Sequence, residues 1–282
     1  METPLPSRIV TPLAALKVLI VAGMFAAGAL LYSRLPEQIP SHWNFAGQVD
    51  DFTAKPWGVW MLPLVALAMA VLFPLFRRID PRRENYEMFR HSWDMLQLCF
   101  VAFMAYIYGM QLYLSLQPLP SPDFVGRFVT FGIGMLFVVI GNYMGKIRQN
   151  FFVGMRTPWT LSDPEVWRKS QRFGGWAFVL GGLAVIAESV IWWRPEFIFF
   201  GIVLIVAFLP MFYSFVIYPR NKTATGKGMR SFLLLALVTF LVGAAVAVGI
   251  RLTSSEDTWL CDKGQWVKHG SPSAPMPTEP CI

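Results

Sequence analysis

Long apolar stretches recur along the whole chain, separated by shorter polar segments. Each is about 20 residues long, the length an α-helix needs to cross the hydrocarbon core of a bilayer. Lipid cannot satisfy exposed backbone groups, so the stretches are predicted to be helices. The predicted fold class is an all-α polytopic membrane helix bundle. Seven spans are predicted: Leu13–Tyr32, Trp57–Phe76, Met95–Leu116, Phe128–Lys146, Gly174–Trp192, Phe197–Tyr218 and Ser231–Ile250.

Composition supports a membrane protein. Only 15% of the 282 residues are charged and 55% are hydrophobic, whereas soluble domains carry about 25% charged residues. The small residues of "FAAGAL" leave a cleaved signal peptide open for the first stretch. A retained span is favoured, because the apolar run after Pro12 is too long for a typical signal core.

The positive charges indicate an orientation. Of the 24 Lys and Arg residues, 17 fall in the N-terminal segment, where Lys17 is counted, and in the second, fourth and sixth loops. Cytoplasmic loops carry such an excess, so the N-terminus is predicted to be cytoplasmic and the C-terminus extracytoplasmic. Topology thus explains the net charge of +7, and no direct nucleic-acid binding is predicted.

Four regions are predicted along the chain. Residues 1–92 form a two-helix region with an outer loop, and residues 93–220 form a four-helix region. Residues 146–172 of the latter form a segment between two spans that we call the cytoplasmic collar. Residues 221–251 add a span, and residues 252–282 form a Pro-rich tail.

The cysteines fit this orientation. Cys99 lies in an apolar span, where a small buried side chain is expected. Cys261 and Cys281 both lie in the tail, on the side of the membrane where disulfides persist. They are predicted to pair, which would stabilise the ordered tail by about 3 kcal/mol.

The collar combines residues that favour a fixed shape. Gly154 permits unusual dihedral angles, Pro158 stiffens the chain, and Trp159 is predicted to offer its ring at the headgroup level. Arg156 either ties the loop to the bundle or donates bidentate hydrogen bonds to a partner. Ser162 and Glu165 have capping-box spacing, so a helix is predicted to begin at Ser162 and continue into the fifth span.

Polar residues within the spans suggest packing contacts. Gln97, Gln111 and Asn142 are predicted to form interhelical hydrogen bonds. Gly141 and Gly145 are expected to let the fourth span pack closely against a neighbour. Glu188 is predicted to reach the headgroups or to pair with Arg194 or Lys55, although an ionisable residue in a span is a functional candidate by default.

Catalytic motifs are absent from the sequence, including the metalloprotease helix, the nucleophile elbow and the phosphate-binding loop. A turn at Gly47 is predicted to bring His42 near Asp50, and the two side chains are expected to form a hydrogen bond. His42, Asp50, Asp51 and His269 could supply metal ligands, but nothing in their spacing demands a metal. The sequence therefore predicts no enzyme, no cofactor and no metal site.

Two segments resemble a known family. "GNYMGKIRQNFFVGMRTPWTLSDPEVWRKSQRFGG" (Gly141–Gly175) resembles the SdpI signature, with its G-N-x-x-x-K and G-[IM]-R-T-P-W-T-L elements. "LPEQIPSHWNFAGQVDDF" (Leu35–Phe52) is similar to the domain of unknown function, DUF1648, that precedes it in the same proteins. The chain departs from the family at Gln171, where His or Asn is common, and in the seventh span and Cys-bearing tail.

The resemblance implies two sets of binding residues. The outer-loop set is Pro36, Pro40, His42, Gly47 and Asp50. The collar set is Asn142, Asn150, Gly154, Arg156, Thr157, Pro158, Trp159, Thr160, Trp167 and Arg172.

The resemblance also implies a function. The family is named for an immunity protein that protects its own cell from an exported killing peptide and holds a transcriptional repressor at the membrane. It implies a multi-pass protein of the bacterial cytoplasmic membrane, in contact with lipid, an exported toxin peptide outside and a repressor inside. Two alternatives stay open: a transporter of small molecules or lipids using Glu188, Gln111 and Asn142, and an enzyme using His42 and Asp50.

Overall fold

The computed structural model describes residues 12–43, 49–118, 121, 123–193, 195–218, 258–262, 265–269 and 275–278. The chain divides into two compact units, residues 1–218 and residues 219–282. In the described part of the first unit, six helices are long and apolar enough to cross a membrane, which confirms the predicted polytopic helix bundle. The predicted seventh span, Ser231–Ile250, lies outside the described residues.

The spanning helices have these bounds: α1 Pro12–Leu31, α2 Lys55–Ile79, α4 Arg90–Leu116, α5 Phe124–Met144, α7 Pro164–Ile191 and α8 Pro195–Val216. Two short helices lie between them, α3 Asn85–Met88 and α6 Pro158–Ser162. A 3-10 turn over Tyr32–Arg34 follows α1.

The spanning helices form two groups of three. Helices α1, α2 and α4 pack against one another around a core of buried side chains that includes Val59, Val101 and Tyr108. Helix α7 packs against both α5 and α8, and the main contact between the groups is α4 against α5. The outward sides of the helices expose many large apolar side chains, as lipid-facing surfaces do.

Helices α5 and α7 approach each other closely because both carry glycines at their contact. A Cβ added to Gly141 would lie 2.6 Å from the backbone oxygen of Gly175. A Cβ added to Gly134 would lie 2.9 Å from the oxygen of Gly182. Close packing at Gly141 is confirmed, but Gly145 faces Arg172 and leaves 3.5 Å for a Cβ. Small residues allow helix backbones to approach in this way.

The outer loop contains a β-hairpin, which hydrophobic periodicity did not predict. Strand β1 (Gln38–Trp43) pairs in an antiparallel sense with β2 (Val49–Ala54), and the register is irregular between Pro40 and Trp43. Helix α2 begins directly after β2, with Pro56 in its first turn, where proline is tolerated.

The second unit contains another antiparallel hairpin. Strand β3 (Thr258–Asp262) pairs with β4 (Gln265–His269), and Cys261 lies opposite Trp266. Cys281 lies outside the described residues, so its disulfide with Cys261 stays a prediction.

Candidate functional site

The outer hairpin brings His42 and Asp50 together. The Nδ1 atom of His42 lies 2.6 Å from Oδ1 of Asp50, so the predicted hydrogen bond is confirmed. The His42 side chain is 64% exposed. Gly47, to which the turn was assigned, lies outside the described residues. The neighbouring Asp51 accepts a hydrogen bond from the backbone N–H of Phe52 across 2.8 Å.

The hairpin is fixed to the helices beneath it. Ile39 is fully buried, and a Cβ added to Gly58 of α2 would lie 2.5 Å from its Cβ. The Gln111 side chain of α4 donates a hydrogen bond to the backbone oxygen of Pro40 across 3.0 Å. Gln111 therefore bonds the outer loop rather than another helix, which corrects its predicted interhelical role. Pro36 remains exposed.

Lys55 also contacts the outer loop. Its Nζ lies 3.4 Å from the carboxylate of Glu37 and 4.8 Å from the centre of the Tyr32 ring. Lys55 therefore pairs with Glu37, and the predicted pairing with Glu188 is wrong. Glu188 is buried, and its Oε1 has no hydrogen-bond partner among the described residues. The prediction that it reaches the headgroups is also wrong, while Arg194 lies outside the described residues.

The collar is built around Asn150, which is fully buried. Its Oδ1 accepts hydrogen bonds from the backbone N–H groups of Phe152 and Val153 across 2.9 and 2.7 Å. Its Nδ2 donates to the backbone oxygens of Arg148 and Val153 across 2.8 and 3.0 Å. One amide thus satisfies both donors and acceptors of a non-helical loop, which explains why this position carries Asn.

Asp80 joins the collar to the segment between α2 and α4. It is 2% exposed, and its Oδ2 accepts from the Tyr86 hydroxyl and from the backbone N–H of Phe151, each across 2.9 Å. Its Oδ1 accepts from the backbone N–H of Arg82 across 2.7 Å. Burial and the hydrogen bond to Asp80 raise the pKa of Tyr86 above its ordinary value, so the phenol stays protonated and donates.

The Gly154 position requires glycine. Its φ is +104°, a conformation that other residues rarely adopt. A Cβ there would also lie 2.9 Å from the side-chain amide of Gln171 on α7. That amide donates to the backbone oxygen of Met155 across 3.2 Å and accepts from its N–H across 3.3 Å. Gln171, the departure from the family pattern, thus supports the collar backbone.

Helix α6 has a capping box of its own. The Thr157 side chain accepts from the N–H of Thr160, and the Thr160 side chain accepts from the N–H of Thr157 across 2.8 Å. Pro158 is exposed in the first turn of this helix.

The predicted capping box at Ser162 is wrong. Ser162 ends α6 and its hydroxyl donates to the backbone oxygen of Trp159 across 3.1 Å. The N-cap of α7 is Asp163, whose carboxylate accepts from the N–H groups of Glu165 and Val166. Both residues favour caps, and Asp163 alone is followed by Pro at the first helical position. The predicted continuation of the collar into the fifth span is confirmed, because α7 runs on to Ile191.

Both collar tryptophans point inward. Trp159 is 4% exposed, and its Nε1 donates to the Ser214 hydroxyl of α8 across 2.6 Å. The prediction that Trp159 offers its ring to headgroups is therefore wrong, because the ring packs in the bundle. Trp167 is 2% exposed and its Nε1 donates to the backbone oxygen of Ile147 across 2.9 Å.

Four residues of the predicted collar binding set are exposed: Asn142, Arg156, Pro158 and Arg172. Arg156 donates a hydrogen bond to the backbone oxygen of Phe151, which confirms that it ties its own loop. Within the described part of the chain it forms no ion pair with a carboxylate. Asn142 is exposed on α5, and no interhelical hydrogen bond is observed for it among the described residues, contrary to the prediction.

A buried lysine lies inside the first helix group. Lys17 of α1 is 6% exposed, and its Nζ donates to Oε1 of Gln97 on α4 across 2.8 Å. The interhelical role of Gln97 is confirmed. Lys17, however, belongs to the helix interior and not to the flanking positive charge, because it lies more than one turn after Pro12.

A cavity of about 550 Å³ lies beneath the collar. All three helices of the second group and two of the first contribute to its wall, together with the collar. Its lining is mostly aromatic and aliphatic and includes Phe73, Gln97, Ile140, Arg156, Phe178 and Val206. No local sequence pattern predicts this space, because its wall comes from five helices.

Sequence analysis missed Asp80, Tyr86 and Lys17. Asp80 stands between the arginines of a basic loop, where an acidic residue reads as a surface charge. Only its long-range partner, Phe151, reveals the role. A lysine six residues into an apolar span was a readable signal, since charges in spans are costly.

The geometry defines a polytopic membrane protein with an ordered hairpin on one face and an ordered collar on the other. Comparison with known proteins confirms the predicted resemblance to the SdpI family. Residues 146–214 match the SdpI/YfhL protein family, and residues 19–67 match the domain of unknown function DUF1648.

A similar protein supports the same resemblance. The chain is 26% identical to the immunity protein SdpI of Bacillus subtilis (strain 168) over 211 residues, which cover 75% of this chain and 97% of that protein. No solved structure matches the chain significantly.

Proposed function

We propose that this protein is a membrane immunity protein that protects its cell from an exported antimicrobial peptide. The supporting observation is the similarity to an immunity protein over 97% of that protein's length. The two family matches include the outer hairpin and the collar, so the similarity extends to both extramembrane surfaces. No enzymatic step belongs to this proposal.

The outer hairpin is the proposed contact for the peptide. It presents His42 and the exposed ring of Phe52 (52%), and Trp57 (67% exposed) lies directly after the hairpin in the first turn of α2. Its backbone is held by Ile39 and Gln111, so these side chains stand on a fixed platform. Aromatic residues on a rigid surface suit the capture of a peptide with apolar side chains.

The collar is the proposed contact for a cytoplasmic regulator. Its shape is fixed by Asn150, Asp80 and Trp159, which are buried. Arg156, whose guanidinium donates to the backbone oxygen of Phe151, and the exposed Arg172 of α7 present positive charge on this surface. Guanidinium groups suit acidic side chains on a repressor.

The test is survival of a host that is sensitive to such a peptide. Cells expressing the full chain should survive a peptide concentration that kills cells carrying the empty vector. Insertion is checked by measuring the protein in the membrane fraction. Equal killing of both strains, with the protein present in the membrane, would refute the proposal.

The variant His42→Asn distinguishes a role of His42 in fixing the loop from a role in metal binding or catalysis. Asn can still donate a hydrogen bond to Asp50, so protection should be kept if the pair only fixes the loop. His42→Ala removes that bond and should weaken protection. Complete loss with Asn, restored by added zinc, would instead favour the enzyme or metal alternative.

The transporter alternative has weaker support. Gln111 is engaged by the backbone of the outer hairpin, and Asn142 lies exposed on α5. No hydrogen bond among the described residues joins either side chain to Glu188. Uptake of a substrate into proteoliposomes, lost in Glu188→Gln, would revive that alternative.

A further inference from the structure

We propose that the cavity beneath the collar binds an anionic phospholipid, with one acyl chain inside the cavity and the phosphate at Arg156. The cavity volume of about 550 Å³ lies within the range of small-molecule sites, roughly 300–1,000 Å³. This inference concerns a lipid site and does not depend on recognition of a toxin or repressor, but a lipid phosphate and an acidic repressor side chain would compete for the same Arg156 guanidinium.

The lining favours an acyl chain. Phe73, Ile140, Phe178 and Val206 supply apolar surface from four different helices. The buried polar side chains in the wall, Gln97 and Thr157, already have protein partners: Gln97 accepts a hydrogen bond from Lys17, and Thr157 accepts one from the backbone N–H of Thr160. Neither requires a water partner in the cavity. Water finds few hydrogen-bond partners in such a space, whereas a lipid chain enters it from the surrounding bilayer.

A single extended hydrocarbon chain is narrower than a peptide helix, which is about 10 Å wide with its side chains, and it can follow the space between the two helix groups.

Arg156 gives the site its preference for an anion. Arg156 is exposed and also lines the cavity, and one N–H group of its guanidinium donates to the backbone oxygen of Phe151. A guanidinium carries five donors, so four remain for phosphate oxygens, and no carboxylate among the described residues pairs with it. Basic pockets between helices on the cytoplasmic side bind anionic headgroups.

Photo-cross-linking tests the site. The full chain is placed in nanodiscs that contain phosphatidylglycerol or phosphatidylcholine with a diazirine in one acyl chain, and labelled peptides are mapped by mass spectrometry. We expect phosphatidylglycerol to label peptides around Phe73 and Phe178. Arg156→Ala should reduce this labelling about tenfold, the loss expected for a charged bidentate contact. Arg148→Ala, which also removes an exposed arginine of the collar, should leave the labelling unaltered.

Chain occupancy is tested by filling the cavity. Ala207 of α8 also lines the cavity. Ala207→Phe should abolish labelling inside the cavity while Arg156 is intact, and the smaller Ala207→Leu should reduce it if the larger change prevents folding. Equal labelling by both lipids, or no response to Arg156→Ala, would overturn the proposal. Excess palmitate that displaces the label as well as unlabelled phosphatidylglycerol would identify a fatty acid instead. Excess inorganic phosphate that displaces it equally would show that the acyl chain contributes nothing.

Discussion

The carboxylate of Asp80 accepts a hydrogen bond from the backbone N–H of Phe151, across 2.9 Å and 71 positions of sequence. This contact joins the two inner loops that flank α4 and α5. The same oxygen accepts from Tyr86, whose hydroxyl also lies 3.3 Å from Oδ1 of Asn150. The collar is therefore one folded unit made from two distant segments, and its shape depends on a buried acid.

Asp80→Asn should destabilise this unit. Both carboxylate oxygens of Asp80 accept hydrogen bonds. In the Asn variant an NH₂ group replaces one of these oxygens and must therefore face an N–H or O–H donor. The expected loss is about 1–3 kcal/mol in the free energy of unfolding, measured by denaturant titration of the purified protein in detergent. Glu84→Gln, which changes an exposed carboxylate on the same loop, should be neutral. Equal losses in both variants would contradict the role assigned to Asp80.

Ser214→Ala should loosen the collar from α8. Ser214 accepts from Trp159 and donates back to Met211 of its own helix, so its removal costs a buried interhelical bond of about 1–2 kcal/mol. Ser189→Ala is the matched control, because Ser189 is also buried and makes the same type of back-bond, to Ile186. The two free energies of unfolding are compared in detergent. A larger effect at Ser189 would argue against the Trp159–Ser214 contact.

Gly141→Ala should force α5 and α7 apart. The added Cβ meets backbone atoms of Gly175 and Val179 at 2.6 and 2.7 Å, and backbone cannot move aside as a side chain can. Overpacking of this kind costs about 1–3 kcal/mol. Gly109→Ala, where nothing lies within 4 Å, should be neutral or stabilise α4 by about 1 kcal/mol. Stability unchanged by Gly141→Ala would show that the two helices are not in close contact.

The helices could be predicted from sequence because their signal is local: 20 apolar residues identify a span wherever it packs. The His42–Asp50 bond was also predictable, since the two residues are only eight positions apart in the sequence. The collar was harder because its partners are distant. From sequence alone Trp159 is typical of a membrane interface, and Asp80 is typical of a surface charge; their partners Ser214 and Phe151 are distant in sequence.

The outer hairpin could not be predicted because Pro40 weakens the strand signal. In the structure, the irregular pairing of β1 with β2 accommodates this proline.

The tail makes a separate prediction about topology. Cys261 and Cys281 should be extracytoplasmic and bridged, so a membrane-impermeant thiol reagent should label neither in intact cells until an external reductant is added. Labelling of both without reductant would exclude the bridge. No labelling even after reduction would place the tail on the other side of the membrane.

The most direct measurement of the central claim compares Arg156→Ala with Arg148→Ala in the survival assay. Both variants remove one exposed positive charge from the collar, so the net charge of the collar changes by the same amount in each. We predict that cells with Arg148→Ala tolerate as much exported peptide as wild-type cells. Cells with Arg156→Ala, at the same amount of protein in the membrane, should be killed at a concentration close to that for the empty vector. Full protection by Arg156→Ala, or equal and mild losses in both variants, would contradict a functional collar in an immunity protein.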